Sequence, residues 1–213
     1  MRVYFDNAAT TPLLPEVLEA MMPFLREQFG NPSTQYSYGR EARSAIESAR
    51  KLIASLLHAQ PGEIIFTSGG TESSNIVLYN AVVNLGIKRI ITSQIEHHCV
   101  LHSVEYFEKA NGIQAEYMPV NSKGEISLDA LEELLKDTSM PTLVTLMHAN
   151  NEIGVMIPMD EVGALCVKYG ALFHSDTVQT FAHCEINTQN TPVDFLGAAA
   201  HKFHGPKGAG FLY

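Results

Sequence analysis

From Glu63 onward the chain alternates between two hydrophobic periods, and this alternation limits the fold more than any single motif does. Short apolar runs of strand length, EIIFT, RIITSQ, AEYMPV, TLVTLMHA, ALFHSD, DFLGAAA and AGFLY, recur along the sequence. Most are separated by longer segments with apolar residues at helical spacing: ESSNIVLYNAVVNLG, CVLHSVEYFEKANG, SLDALEELLKD and MDEVGALCVKYG. Strands joined by helical crossovers lie parallel, so the pattern predicts an α/β fold, a three-layer αβα arrangement with a mostly parallel sheet covered on both faces. EIIFT reads as a buried strand followed by a glycine turn, SGGT. Ahead of it, YFDNAATTPLL reads as a short strand breaking into small polar residues. Pro15 opens an amphipathic helix, PEVLEAMMPFLREQF. GNPSTQYSYG is a turn-rich loop, and REARSAIESARKLIASLLHA is a long helix packing on one face. No linker, repeat or low-complexity stretch divides residues 1–213, so a single domain is expected.

Ligands of such sheets collect outside the carboxyl ends of the strands. Five polar segments each follow directly on a predicted strand: Ser68 to Thr71, Glu96 to His98, Asn150 with Asn151, Asp176 to Gln179, and His201 with Lys202. They are expected to converge on one crevice. The formal net charge of −9 over 213 residues, with no Lys/Arg cluster, argues against a nucleic-acid partner. No apolar run approaches membrane-spanning length and the start lacks a signal-peptide core, so no membrane partner and a cytoplasmic location are expected. Cys99, Cys166 and Cys184 are scattered and odd in number, which predicts free thiols.

Each segment carries a chemical possibility beside a plainer one. Lys202 sits between His201 and a Gly-Pro-Lys-Gly turn, at the end of an apolar strand. It is either a solvated loop lysine or a desolvated amine able to attack a carbonyl. SGGTES offers two glycines and a helix start to an anion such as phosphate, or Thr71 simply caps its own helix. Asp176, ending ALFHSD, either caps the next turn or faces a cation, because a buried carboxylate is costly unless paired. In EHHCVLH, His98 and His102 lack an acidic or thiolate partner cluster, so no metal is expected and both read as helix-surface or packing residues. His97 suits a flat group stacked on an aromatic cofactor. Of the two amides in HANNEIG, Asn151 is the one expected to reach a ligand, while His174 and His183 read as structural.

Taken together, YFDNAATTP, GNPS, FTSGGTES, EHH, HANNEIG, HSDTVQ and HKFHGPKG resemble the cysteine desulfurase family, in the class V branch of the pyridoxal phosphate enzymes that share the aspartate aminotransferase fold. The resemblance runs the length of the chain. It implies the cofactor-binding large domain of such an enzyme, with pyridoxal 5'-phosphate carried on Lys202. It further implies His97 stacked on the cofactor ring and Asp176 paired with the pyridine nitrogen. Gln179 and Asn151 would lie beside the phenolic oxygen, and Gly70, Thr71 and His201 around the phosphate. His97 and Lys202 are the implied proton carriers. The family converts L-cysteine to L-alanine and passes the sulfur, through an enzyme persulfide, to a sulfur-acceptor protein; a homodimer is implied for the full-length protein.

Three features depart from that pattern. Ala199 stands where the family places a serine that binds the phosphate, three residues before the lysine. Tyr36 stands where many relatives have histidine. The chain stops at FLY, so the small C-terminal domain with its persulfide cysteine is expected to be absent and sulfur transfer incomplete. Apolar surface that this domain normally covers is expected to be exposed. Cys99 is expected to point into a helix, and Cys166 and Cys184 to be buried as small apolar residues. The other readings are a further class V enzyme, such as a selenocysteine lyase or an aminotransferase, and a non-catalytic fragment serving as a binding partner.

Overall fold

A computed structural model describes residues 1–213 and shows the alternating segments joined in one seven-stranded sheet. Helix α1 (Pro15–Arg26) begins with proline at its first turn, where a missing N–H costs nothing. None of its residues is buried, and Leu18, Phe24 and Leu25 are exposed. Helix α2 (Ser37–Leu57) leads to strand β1 (Ile65–Thr67) and helix α3 (Gly70–Tyr79), which widens into a π-helical turn over Asn80–Asn84. Strand β2 (Arg89–Ser93), helix α4 (His98–Asn111), strand β3 (Gln114–Met118) and helix α5 (Leu128–Leu135) follow. Strand β4 (Thr142–Thr145), helix α6 (Met159–Tyr169) and strands β5 (Leu172–Asp176), β6 (Phe195–Ala199) and β7 (Gly210–Leu212) complete the order.

The strands lie in the order β1-β7-β6-β5-β4-β2-β3. All pairs from β6 across to β3 are parallel, as expected from the helical crossovers. β7 is the exception, antiparallel to both β6 and β1. Because β7 reverses twice, β1 runs in the same sense as β6. The carboxyl ends of β1, β2, β4, β5 and β6 therefore share one edge of the sheet.

Two apolar cores cover the two faces. Ile90 and Ile91 are neighbours in sequence, as are Leu143 and Val144, yet the members of each pair belong to opposite cores, as the period of two requires. One core takes Leu57, Leu131 and Val162 from α2, α5 and α6; the other takes Leu78 and Val104 from α3 and α4. No helix is long and apolar enough to cross a membrane.

Two local expectations are corrected. β1 is not a buried strand: it is an edge strand with Ile65 and Phe66 exposed, because β7 is its sole partner. The opening residues form no strand, and Val3, Tyr4 and Phe5 are exposed. They pair with neither sheet edge, and the chain turns instead at Asp6, whose carboxylate accepts the Ala9 N–H at 3.2 Å.

Candidate active site

The five polar loops meet. One cleft of about 370 Å³ takes Gly70 and Thr71 from the start of α3, His97 from the loop after β2 and Asn151 from the loop after β4. Asp176, Val178 and Gln179 enter it from β5, and Ala199, His201 and Lys202 from the end of β6. The size is that of small-molecule sites. All eight residues named from the sequence thus line a single cavity.

Glycine shapes one wall. Gly69 adopts φ +151° and ψ −174°, a conformation essentially confined to glycine. A Cβ on Gly70 would sit 2.4 Å from Val178 Cγ2, so α3 can start against the β5 loop only without a side chain there. No side chain caps this helix, leaving its first-turn amides to an anion. His201 stands nearby, its Nδ1 3.1 Å from Thr10 Oγ1. Burial, helped by the charges of Lys202 and Lys207, lowers the His201 pKa.

Charge organises the rest of the cleft. Asp176 is buried, and burial raises its pKa; the Val178 N–H, 2.9 Å from Oδ1, and the charges of His97 and Lys202 act against that rise. Lys202 responds in the opposite direction. Desolvation lowers its pKa, while Asp176 and Asp6 oppose the change. His97 is the N-cap of α4, where its Nδ1 accepts the Cys99 N–H at 3.2 Å. Asn151 lines the cleft, whereas Asn150 is spent on the backbone: its side chain donates to Ile95 and accepts from Glu152 and Ile153.

Several contributors were not foreseen. Residues 8–11 fold over the site, and Lys202 donates to the carbonyl oxygens of Ala8 and of Ala9, the latter at 3.0 Å. Gln179 also donates to Ala8, at 2.9 Å, and the His201 carbonyl accepts from both the N–H and the hydroxyl of Thr11. Small residues in NAATT carry no period, so nothing local marked them as a wall of the cleft. Cys99 packs against α3, as expected, with Thr71 and Ser74 beside its thiol, and its Sγ also lies 3.0 Å from His97 Nδ1 and lines the cavity, because residue 99 falls on the first turn of α4 beside its cap. Burial pushes that thiol up to about 11. Cys166 is buried as expected, but Cys184 is only half-buried, since it follows an exposed turn at His183. All three are free thiols. His98 and His102 are exposed and stack on each other with ring centroids 5.6 Å apart.

Comparison with known proteins decides the family. The model of the class-V aminotransferases matches residues 3–213. The chain belongs to the aminotransferase class-V family. Among its class-V relatives, a protein of Dictyoglomus turgidum described as cysteine desulfurase IscS is 48% identical over 213 residues, covering 99% of this chain and 53% of the relative. A Bacillus subtilis protein described as putative cysteine desulfurase IscS 1 is 43% identical, covering all of this chain and 56% of the relative. The solved structure "SspA in complex with cysteine" superposes with a TM-score of 0.94 at 36% identity, over all of this chain and 61% of that one. A NifS-like protein superposes with a TM-score of 0.93 at 40% identity, over all of this chain and 59% of that one. The resemblance to cysteine desulfurases carried by the seven motifs is borne out at the level of the family and its fold. This class-V chain spans about half the length of the curated relatives it matches.

Proposed function

We propose that this chain is the pyridoxal phosphate-binding part of a cysteine desulfurase. The observation that carries the reading is the convergence of Lys202, Asp176 and His97, from the ends of three separate strands, on one cleft. The donor set suits the cofactor. An uncapped helix start offers amides to a phosphate, Asp176 offers a buried carboxylate to a protonated ring nitrogen, and Val178 adds an apolar side chain to the lining. Gln179 and Asn151 then lie on the phenolic-oxygen side, and Gly70, Thr71 and His201 at the phosphate. When bound, pyridoxal phosphate supplies an acceptor for the electron pair left at Cα of an amino acid.

The protein's own groups do the rest. Lys202, with proton affinity lowered by desolvation, would hold the aldehyde end of the cofactor, and its Nζ would afterwards take up and return a proton at the amino acid's Cα. To do so it leaves the carbonyls of Ala8 and Ala9. Asp176 would keep a proton at the ring nitrogen, whose positive charge would add to those of His97 and Lys202 in favouring the carboxylate. His97, at the mouth of the cleft, holds or moves a second proton.

In this reading the substrate is L-cysteine, the products are L-alanine and a sulfur atom held as an enzyme persulfide, and a sulfur-acceptor protein receives that sulfur. A homodimer in the full-length protein and a cytoplasmic setting belong to the same proposal. None of the three cysteines suits the persulfide role: Cys166 is buried, Cys184 lies outside the cleft, and Cys99 is held as a thiol. We therefore assign the persulfide cysteine to sequence outside these residues and expect the chain alone to complete no sulfur transfer. Purified chain mixed with pyridoxal phosphate should turn yellow, lose the colour on borohydride, and carry the reduced label on Lys202. A colourless chain that takes up no cofactor would instead support a non-catalytic binding partner.

A further inference from the structure

Glu96 is a buried carboxyl that the chemistry above leaves without a part. It precedes His97 in the loop between β2 and α4. Its Oε1 accepts from Ser93 Oγ at 3.0 Å and from the Met147 N–H at 2.9 Å, so it ties this loop both to its own strand and to the end of β4. A second tie runs the other way, from Asn150 Nδ2 to the Ile95 carbonyl at 2.7 Å. Met147 and Asn151, on the far side of these ties, line the cleft together with His97. The other oxygen of Glu96, Oε2, is fully enclosed and meets no partner.

An ionised carboxylate in that position would be a buried charge with one oxygen unpaired. The neutral acid leaves only an unpaired hydroxyl, which costs far less. Asp176, at the end of β5, is the charge that acts on Glu96, and it is negative; His97 and Lys202 exert their opposing charge on Asp176. Two carboxyl groups close enough to interact and placed in unlike surroundings divide their protons unequally. The proton belongs on Glu96.

We propose that Glu96 is a positioning residue kept as the neutral acid, clamping the His97 loop to the end of β4 while Asp176 remains the single negative charge beneath the cleft. Burial and the neighbouring Asp176 push its carboxyl up to about 8, in agreement with the geometry. The use made of His97 rests on the cofactor reading above; the clamp and its protonation state do not.

The test is a titration of the purified chain, labelled with 13C at glutamate side chains and 15N at histidine, between pH 5 and 9. The Glu96 carboxyl resonance is expected to hold the protonated position at pH 7 and to move only near pH 8. Glu96→Gln, neutral and of the same shape, is expected to keep the His97 ring resonances in place. Glu96→Ala is expected to move them and to weaken pyridoxal phosphate binding roughly tenfold, with Gln restoring most of the loss. A Glu96 carboxylate already ionised at pH 7 overturns the proposal, and so does a Gln variant whose His97 resonances shift as far as those of the Ala variant. If the unmutated chain takes up no pyridoxal phosphate while Glu96 titrates as described, the clamp stands and the cofactor reading alone has failed.

Discussion

Lys202 Nζ donates a hydrogen bond to the carbonyl oxygen of Ala8, a contact across 194 positions of sequence. The same ammonium reaches Ala9, so the opening segment of the chain stabilises the charged form of the amine. Desolvation works against it, and the net shift of Lys202 is downward. Asp6→Asn takes away a charge that favours the ammonium without uncovering the amine. The pH midpoint for trapping pyridoxal phosphate on Lys202 with borohydride should then fall. Lys202→Ala should give no trapped label at any pH.

Asp176→Asn separates stability from cofactor binding. The folded-state pKa of Asp176 lies above its unfolded value, so the folded chain holds the extra proton between the two. The stability this brings is complete at pH values below the unfolded pKa. It declines as pH rises through the folded pKa and stays lost above it. Asparagine removes that loss. At pH 8 the cofactor-free variant should melt above the parent. Pyridoxal phosphate affinity should fall at least tenfold at the same time, because the ring nitrogen loses its anion. Melting curves recorded at pH 4 and pH 8, with and without cofactor, check both halves. A variant no more stable than the parent at pH 8 would mean that Asp176 is not paying a burial cost.

Much of this arrangement is legible in sequence because it depends on local periodicity and on chain order. The alternation from Glu63 onward implies parallel strands, and parallel strands carry their following loops to one edge. Gly70, His97, Asp176 and Lys202 could therefore be gathered without coordinates. What escapes is set by neighbours far away in sequence. EIIFT has the composition of a buried strand, yet Ile65 and Phe66 are exposed because β7 pairs with β1 and nothing lies beyond it. The placement of Ala8 against Lys202 is decided by backbone carbonyls, which every residue possesses and no motif displays. Likewise, Glu96 reads as an ordinary loop glutamate until the Met147 N–H and the Asp176 charge are placed beside it.

Ala199→Ser should tighten cofactor binding. An ideal Cβ on Gly69 would lie 4.0 Å from Ala199 Cβ, so residue 199 stands beside the uncapped start of α3 where the phosphate is expected. A hydroxyl there adds one donor to a dianion. Charge-assisted bonds contribute about 1.5–3 kcal/mol, so the dissociation constant should drop tenfold or more. Fluorescence titration with pyridoxal phosphate measures it. An unchanged constant would place the phosphate elsewhere.

Gly70→Ala tests how tightly α3 is seated against the β5 loop. The new methyl would stand 2.4 Å from Val178 Cγ2, closer than van der Waals contact allows, so either Val178 rotates or the helix start withdraws from the cleft. Overpacking of this kind costs about 1–3 kcal/mol. Because Val178 also lines the cavity, the same displacement should weaken cofactor uptake. The clash is with a single side-chain branch, which makes it separable. In Gly70→Ala combined with Val178→Ala the obstructing methyl groups are gone, and stability should recover beyond the sum of the two single changes. Urea unfolding of the four proteins in the cycle measures that coupling. A coupling near zero would show that Gly70 is required for its backbone amide and conformation and not for its contact with Val178.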